Sequence, residues 1–485
     1  MKTIFLTRHS QTEQPGSSLY NTFSGIEQIT ELNYRTIKTG NNPWSKRERE
    51  AWILENAMGA DLVITTLPDF IQEMKTNGWQ GKTIFKALGS FPRGATDIRE
   101  VLPYLYQSDV IWCSSTADMA IYSRLVSQDG TQPQAICFPY SVNPETYQPL
   151  KNRESREEFR STWGFKNDDF VLVYAGRVTV EKNVHSILEA VYELTRLGYP
   201  VKLVIVGRVE NIPFSEFHMY PVDLDEKINI LIESLQISDQ VVIQEWQTPD
   251  KLNEVFNAAD AFVNLTLHHD ENFGLSQIEA MSAGLPVIGT AWGGLKDTIV
   301  NGEGGFAADT WLTTNGVRFD APVVIDAIKY LIENSQMREK QGQRGRERAI
   351  ADYRDTFYNQ RVAQLIETVL NRPTKEATAT FTPFGHRFHQ RFTREDPPLK
   401  YAKRSDAINP VYDGLSDSDY FELIEPYTSR GELKLKSESL LFRALKWQTK
   451  RDIFHLGRSA VSYSYSYLRK RNRCDKPIKS LAGSA

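Results

Sequence analysis

Apolar and polar positions change rhythm repeatedly along this chain. Short apolar runs stand at TIFLT (3–7), DLVITTL (61–67), KTIFKAL (82–88), DVIWCSS (109–115) and AICFPY (135–140). Between them lie helix-length stretches such as REREAWILENAM (47–58). Alternation of strand-like and helix-like segments predicts a parallel sheet with helices on its faces.

A polar connector, NPETYQPLKNRESREEF, runs from Asn143 to Phe159, and a second series follows it. DDFVLVYAGR (168–177) reads as a buried strand. NVHSILEAVYELTRL (183–197) carries Val184, Ile187, Leu188, Val191 and Leu194 on one stripe, the spacing of an amphipathic helix. VKLVIVG (201–207), QVVIQEW (240–246), DAFVNLT (260–266) and LPVIGT (285–290) are further strands, and a long polar helical stretch over 323–372 is broken near Asp352. This reading is α/β: two Rossmann-like, doubly wound domains facing a cleft, with ligands expected at the carboxyl ends of the strands. The expected divisions are a domain over 1–145, a second over 146–355, a closing helix over 356–373, and an extension over 374–485. Within that extension 374–432 is polar, dotted with prolines and weakly periodic, so it is expected to be extended or partly disordered.

Composition narrows the picture only modestly. With 485 residues, 40% hydrophobic and 24% charged, the chain is long enough for two or more globular domains. The net charge of −4 gives no global signal for nucleic acid. Cys113, Cys137 and Cys474 show no metal or disulfide spacing, which suits a reducing, cytoplasmic setting. No apolar run is long enough to span a bilayer. Charge is uneven, however. Residues 441–480 hold eleven Lys/Arg against two Asp, a local +9 that leaves about −13 for the rest. Over 439–480 these cations are interleaved with Trp447, Phe454, Tyr463, Tyr465 and Tyr467, a pattern suited to peripheral contact with an anionic membrane face and equally to a basic helix packed on an acidic body.

Candidate chemistry begins with TRHSQTE (7–13), at the end of the first strand. Histidine phosphatases and phosphoglycerate mutases begin with a strand running into Arg-His-Gly. That chemistry requires a second histidine, and here the glycine is Ser10 and the next histidine is His185, in the second series. A phosphatase using His9 is therefore the weaker alternative, and Arg8 and His9 are left as candidates for the acceptor side.

Stronger signals lie in the second series. In AGRVTVEKNV (175–184), Gly176 ends a strand and Arg177 and Lys182 bring two cations near a helix start; such a pair suits a diphosphate, although an Arg and a Lys at this spacing are more often simply solvated. In DENFGLSQIEAMSAGLPVIGTAWGG (270–294), a turn Glu271-Asn272-Phe273-Gly274 leads into a helix at Leu275. Gly274 allows close approach of the backbone to a ligand, and the first N–H groups of the helix form an anion site. Glu271 and Glu279 are then suited to sugar hydroxyls, because a carboxylate accepts hydrogen bonds and repels phosphate. Gly293-Gly294 repeats the strand–glycine–helix device.

Together these segments resemble the family-4 retaining glycosyltransferases of the GT-B fold. That family carries Gly-Arg…Lys and E-x-F-G-L-x-x-x-E-A-M-x-x-G-x-P-V followed by Gly-Gly; this chain reads E-N-F-G-L-S-Q-I-E-A-M-S-A-G-L-P-V. The likeness covers about 140–370, and Phe138-Pro-Tyr-Ser-Val-Asn143 resembles the family's interdomain Pro-Asn-Gly-Val-Asp. It implies a retaining hexosyltransferase with a nucleotide-sugar donor and a carbohydrate or lipid-linked acceptor, without an essential metal and without nucleic acid as partner. By the same resemblance Arg177 and Lys182 hold the donor diphosphate, Phe273–Leu275 line donor sugar and phosphate, Glu271 contacts the sugar and Glu279 the ribose, with Glu271, Arg177 and Lys182 the catalytic set and Gly176 and Asn272 beside them. For single residues simpler readings stand: packing for Phe273, a helix cap for Asp297. The chain also departs from the family. It lacks a clear glycine pair after the first strand, has Leu88-Gly-Ser-Phe-Pro92 where a histidine is common, and has Glu245-Trp246 where a glycine is usual. The absent histidine favours an alternative in which the chain binds nucleotide-sugar as a scaffold with impaired catalysis.

Overall fold

A computed structural model of the chain describes residues 3–9, 26, 33–39, 46–87, 91–150, 153–179, 182–209, 224–267, 271–313, 316–375, 378–391 and 422–430. The chain divides into two compact units, Met1–Asn143 with Ala351–Asp396, and Pro144–Ile350 with Pro397–Ala485.

The first unit is built on a six-stranded sheet of β1 (Thr3–His9), β2 (Asn33–Thr39), β3 (Leu62–Thr65), β4 (Lys82–Lys86), β5 (Val110–Cys113) and β6 (Gln134–Cys137). Every pairing is parallel and the order is β2-β1-β3-β4-β5-β6. β2, Asn-Tyr-Arg-Thr-Ile-Lys-Thr, is absent from the strands expected above. It lies at the sheet edge, where a strand need not be apolar, so its sequence lacks the signal that exposes the central ones.

The helix Asp355–Asn371 returns to this unit. Its Tyr358, Val362, Ile366 and Val369 join Leu62, Ile64, Ile84, Val110, Trp112 and Phe138 in one core. The Lys82 ammonium donates to the Val369 and Leu370 carbonyls, both at 2.9 Å, placing a cation at the carboxyl end of the helix, where its last carbonyls have no partners within the helix. The stretch 374–432, expected to be extended, instead contains a helix, Pro383–Arg391. Thr382 caps it, its hydroxyl accepting from the Gly385 N–H at 2.9 Å, with Pro383 at the first helical position and Phe388 and His389 buried. A nine-residue helix, about two and a half turns, anchored by local capping is too short to register as periodicity.

The second unit holds β7 (Phe170–Ala175), β8 (Val201–Val206), β9 (Val241–Gln244), β10 (Ala261–Asn264), β11 (Val287–Thr290) and β12 (Gly305–Ala308). All are parallel, in the order β12-β11-β10-β7-β8-β9. This is the doubly wound arrangement, and strand order reverses between β7 and β10. β7 is buried throughout, as a central parallel strand covered on both faces must be. The stripe Val184, Ile187, Leu188, Val191, Leu194 is buried on the helix Val184–Arg196, as its spacing requires. Asp260, just before β10, accepts from Arg160 at 2.6 Å, Arg156 at 2.7 Å and the Val171 N–H at 2.8 Å, locking the helix Arg153–Thr162 to the sheet. A short antiparallel hairpin, β13 (Thr310–Thr313) with β14 (Gly316–Phe319), follows. Three helices then cover what was expected as one broken stretch: Ala321–Glu333, Ser335–Tyr353 and Asp355–Asn371.

Candidate functional site

The two segments that carry chemistry in the second unit emerge from neighbouring strands at the reversal of strand order. β7 runs into Gly176-Arg177, and β10 leads toward Glu271. A crevice outside the carboxyl ends of two strands whose connections leave in opposite directions is where doubly wound sheets bind ligands.

On the β7 side, Gly176 has φ of +149° and Gly207, at the end of β8, has +151°. The two pack backbone to backbone: a Cβ at Gly207 would lie 1.9 Å from the Gly176 carbonyl oxygen. Arg177 is exposed, and its carbonyl accepts from the buried Tyr174 hydroxyl at 2.7 Å. Burial, then the nearby Glu271 charge, pushes the Tyr174 phenol well above its ordinary range. Lys182 lies just before Asn183, which begins the helix Val184–Arg196 in a left-handed conformation, φ +57°. Asparagine tolerates that region better than most residues. The Asn183 amide donates to the Leu265 carbonyl at 2.8 Å, tying the Lys182 segment to the end of β10.

On the β10 side, Glu271 is buried and its Oε2 lies 2.5 Å from the Lys182 ammonium. This ion pair joins two residues that the sequence places far apart. Asn272, Phe273 and Gly274 form the turn, with Phe273 buried. Gly274 has φ of +88° and stands immediately before the helix Leu275–Ser282, packed so closely on Leu295 that a Cβ would meet its Cδ2 at 2.3 Å. A side chain there would be strained both by conformation and by contact. The Gln277 N–H donates to the Gly274 carbonyl at 3.0 Å, while the N–H groups of Leu275 and Ser276 precede any acceptor within the helix, so the turn presents partial positive charge.

Glu279 sits further along the same helix, buried, and is hydrogen-bonded by the Tyr147 hydroxyl. Burial raises its carboxyl from 4.5 to about 7, and the Tyr147 hydrogen bond partly offsets this. Tyr147 is itself pushed up by burial and by Glu279. No hydrogen bond or ion pair joins Glu279 to Lys182 or to Glu271 among the described residues. The two carboxylates therefore occupy separate environments, one paired with a cation and one with a phenol.

Gly293-Gly294, after β11, closes against the back of the turn. The Gly294 N–H donates to the Glu271 carbonyl at 2.9 Å. A Cβ at Gly293 would lie 2.2 Å from that same oxygen, and one at Gly294 2.2 Å from the Asn272 carbonyl. Asp297 lies within the short helix Leu295–Thr298, whose N-cap is Gly294.

The structure thus brings Lys182, Glu271 and the 272–275 turn together, with Gly176-Arg177 at the adjoining strand end. Arg8 and His9 end β1 in the first unit, and their side chains lie outside the described residues, as does the whole stretch 439–480. Tyr147, Tyr174, Asn183 and Gly207 are contributors that sequence reasoning missed. Gly207 had a usable signal, since it ends a strand as Gly176 does. Tyr147 had none, because its role depends on Glu279, distant in sequence, and Tyr174 had none, because a tyrosine within an apolar strand reads as packing. No group of three or more His, Cys, Asp or Glu among the described residues is placed to hold a metal ion, and no helix among them is long and apolar enough to cross a membrane.

Residues 155–348 match the family described as "Glycosyl transferases group 1". The chain is 28% identical over 281 residues to the capsular polysaccharide biosynthesis glycosyltransferase CapM of Staphylococcus aureus, covering 58% of this chain and 66% of that one. It is 30% identical over 204 residues to a D-inositol 3-phosphate glycosyltransferase of Rhodococcus erythropolis, covering 41% and 42%. The match spans 66%, 39% and 41% of the first three curated relatives, so the chain aligns with about two fifths to two thirds of their length. Among solved structures, sucrose-phosphate synthase of Thermosynechococcus elongatus superposes with a TM-score of 0.58 at 17% identity, over 76% of this chain and 99% of that one. HepE of Anabaena in complex with UDP and glucose does so at 0.58 and 16%, over 76% and 99%. These likenesses show the fold, which is of the GT-B type.

Proposed function

From the group 1 glycosyltransferase domain that residues 155–348 form, we propose that this chain transfers a sugar from a nucleotide-sugar donor to an acceptor hydroxyl, with retention of configuration at the sugar, in the synthesis of a polysaccharide or glycoconjugate. The observation that carries the reading is the Lys182–Glu271 ion pair at the reversal of strand order, beside a glycine-headed helix N-terminus.

Its chemistry suits a departing diphosphate. An ammonium has three N–H donors, and Lys182 uses one on Glu271, leaving two for phosphate oxygens. Arg177, exposed at the end of β7, adds a second cation, and the helix beginning at Leu275 adds the charge of its dipole. Negative charge grows on the diphosphate as the glycosidic bond breaks, so these groups bind the transition state more strongly than the ground state. Glu271, held by Lys182 on one side and by its own carbonyl on the other, serves the sugar; Glu279 accepts from ribose hydroxyls. On this reading the diphosphate is neutralised by side chains and backbone, without an essential metal. The reading places the chain in the cytoplasm, with 439–480 against an anionic membrane face. The names of the relatives, CapM above all, support a polysaccharide or glycoconjugate acceptor.

A thermal-shift screen of the full chain against UDP-, GDP- and ADP-sugars tests it, because a ligand at a hundred times its dissociation constant adds about 2.7 kcal/mol of stability. The donor that stabilises should then be consumed in the presence of acceptor extract, with the anomeric configuration of the product read by NMR. Binding without turnover would favour the scaffold alternative, and no binding by any of the three would overturn the proposal.

A further inference from the structure

We propose that residues 422–430 are a built-in buttress of the site, with Tyr427 a positioning residue for the Glu271 turn. The inference rests on reading that turn as part of the donor site. The segment lies well beyond residue 348, the end of the family match, and its role follows from what it touches.

Leu423, Ile424 and Tyr427 are fully buried in the second unit. The Gly293 N–H donates to the Tyr427 carbonyl at 2.8 Å. The Tyr427 ring lies edge-on to Trp292, centroids 5.5 Å apart, and so close to Gly293 that a Cβ there would come within 3.1 Å of Cδ2. Anchors on both sides hold the segment in place. Lys296 donates to the carbonyls of Pro426 and of Thr428, the latter at 3.1 Å. Arg430 pairs with Asp309 at 2.6 Å, and its N–H donates to the Thr310 carbonyl at 3.0 Å.

The result is a stack of three layers: the Tyr427 ring, the Gly293-Gly294 backbone, and the backbone of Glu271-Asn272-Phe273. The middle layer has no side chains. Its contacts with the turn are already at the limit of approach, since any added Cβ would lie about 2.2 Å from turn atoms. A two-glycine link is also the most freely rotating backbone available. Without a wall behind it, it can retreat, and the Gly294 hydrogen bond to the Glu271 carbonyl goes with it. Tyr427 supplies that wall. Through it the Glu271 carboxylate is held at the 2.5 Å separation from Lys182, and small misplacements at such a site cost turnover disproportionately.

The test uses the full chain and three variants: Tyr427→Ala, Tyr427→Phe and Lys296→Met. Hydrogen–deuterium exchange should rise about fivefold or more over 271–276 in Tyr427→Ala, with β7 and β8 unchanged, because the loss is local. Lys296→Met should show the same pattern more weakly, and Tyr427→Phe, which keeps the ring behind Gly293, should show a rise well below that of Tyr427→Ala. With the donor found by the stability screen, Tyr427→Ala should lower kcat about tenfold while leaving donor KM within about twofold, the split expected when orientation is lost and nucleotide binding is not. Exchange unchanged over 271–276, exchange raised equally across the second sheet, or unchanged kcat would each overturn the proposal. A wild-type chain that binds and turns over no nucleotide-sugar overturns the functional reading instead, and the exchange pattern still decides whether Tyr427 holds the turn.

Discussion

Glu279 is a fully enclosed carboxyl whose proton affinity burial raises, and its titration can be isolated. Burial raises its carboxyl from 4.5 to about 7. The folded pKa lies above the unfolded one, so the folded state favours the protonated acid. The stability this contributes is fully present below about pH 4.5 and is lost as pH rises through about 7. At about 1.4 kcal/mol for each tenfold change in proton affinity, the swing is ~3 kcal/mol. Glu279→Gln removes the titration while keeping the shape. The melting temperature of wild type relative to Glu279→Gln should therefore fall by several degrees between pH 5 and pH 8, given about 2–4 °C per kcal/mol for a unit of this size. Tyr147→Phe, which removes the hydrogen bond that holds the carboxyl down, should move the midpoint of that fall upward. Donor binding supplies the second readout. Ribose hydroxyls donating to the carboxylate favour its ionised form, so binding at pH 6.5 should release protons, measured by calorimetry in buffers of different ionisation enthalpy. Glu279→Gln should release fewer and bind the donor more weakly. A flat difference in melting temperature from pH 5 to 8, together with equal proton release, would refute the assignment of a raised, ribose-facing carboxyl.

Lys182→Met should lower kcat by about a hundredfold or more, as expected when a contact that strengthens in the transition state is removed. Because it leaves Glu271 buried without its cation, it should also lower the melting temperature more than the double variant Lys182→Met/Glu271→Gln does. Transfer should persist in EDTA, since side-chain cations and a helix N-terminus neutralise the diphosphate; activity lost to the chelator and restored by magnesium or manganese would contradict that division of labour. Asp260→Asn should destabilise the second unit by about 3–5 kcal/mol in denaturant unfolding, because it strips the carboxylate from a buried Arg160; a change below about 1 kcal/mol would mean that water reaches the cluster.

Much of this architecture was legible because it is local. The buried run Phe170–Ala175 and the stripe from Val184 to Leu194 each carry their environment in consecutive residues, as a parallel central strand and a half-buried helix must. The turn Glu271–Gly274 was legible for the same reason: the glycine, the helix it heads and the acidic residue beside it are neighbours in sequence. β2 was not, because an edge strand is released from the requirement to be apolar. Nor were β13 and β14, four residues each, too short for alternation to stand out. What the sequence hid most completely is which side chain each site residue would meet. Glu271 and Glu279 share one short motif and read as two similar carboxylates, yet one faces Lys182 across the strand reversal and the other faces Tyr147 from the connector. The first of these partnerships follows from the order β10-β7, which no stretch of sequence encodes by itself. The same holds for Gly293-Gly294. As a motif it resembles a ligand-facing glycine pair. In the fold its nearest neighbours are the Glu271–Phe273 backbone on one side and the Tyr427 ring on the other, so its lack of side chains is first a requirement of close packing behind the site. A motif therefore reports where a site is. The division of labour within it depends on contacts that only the folded topology supplies.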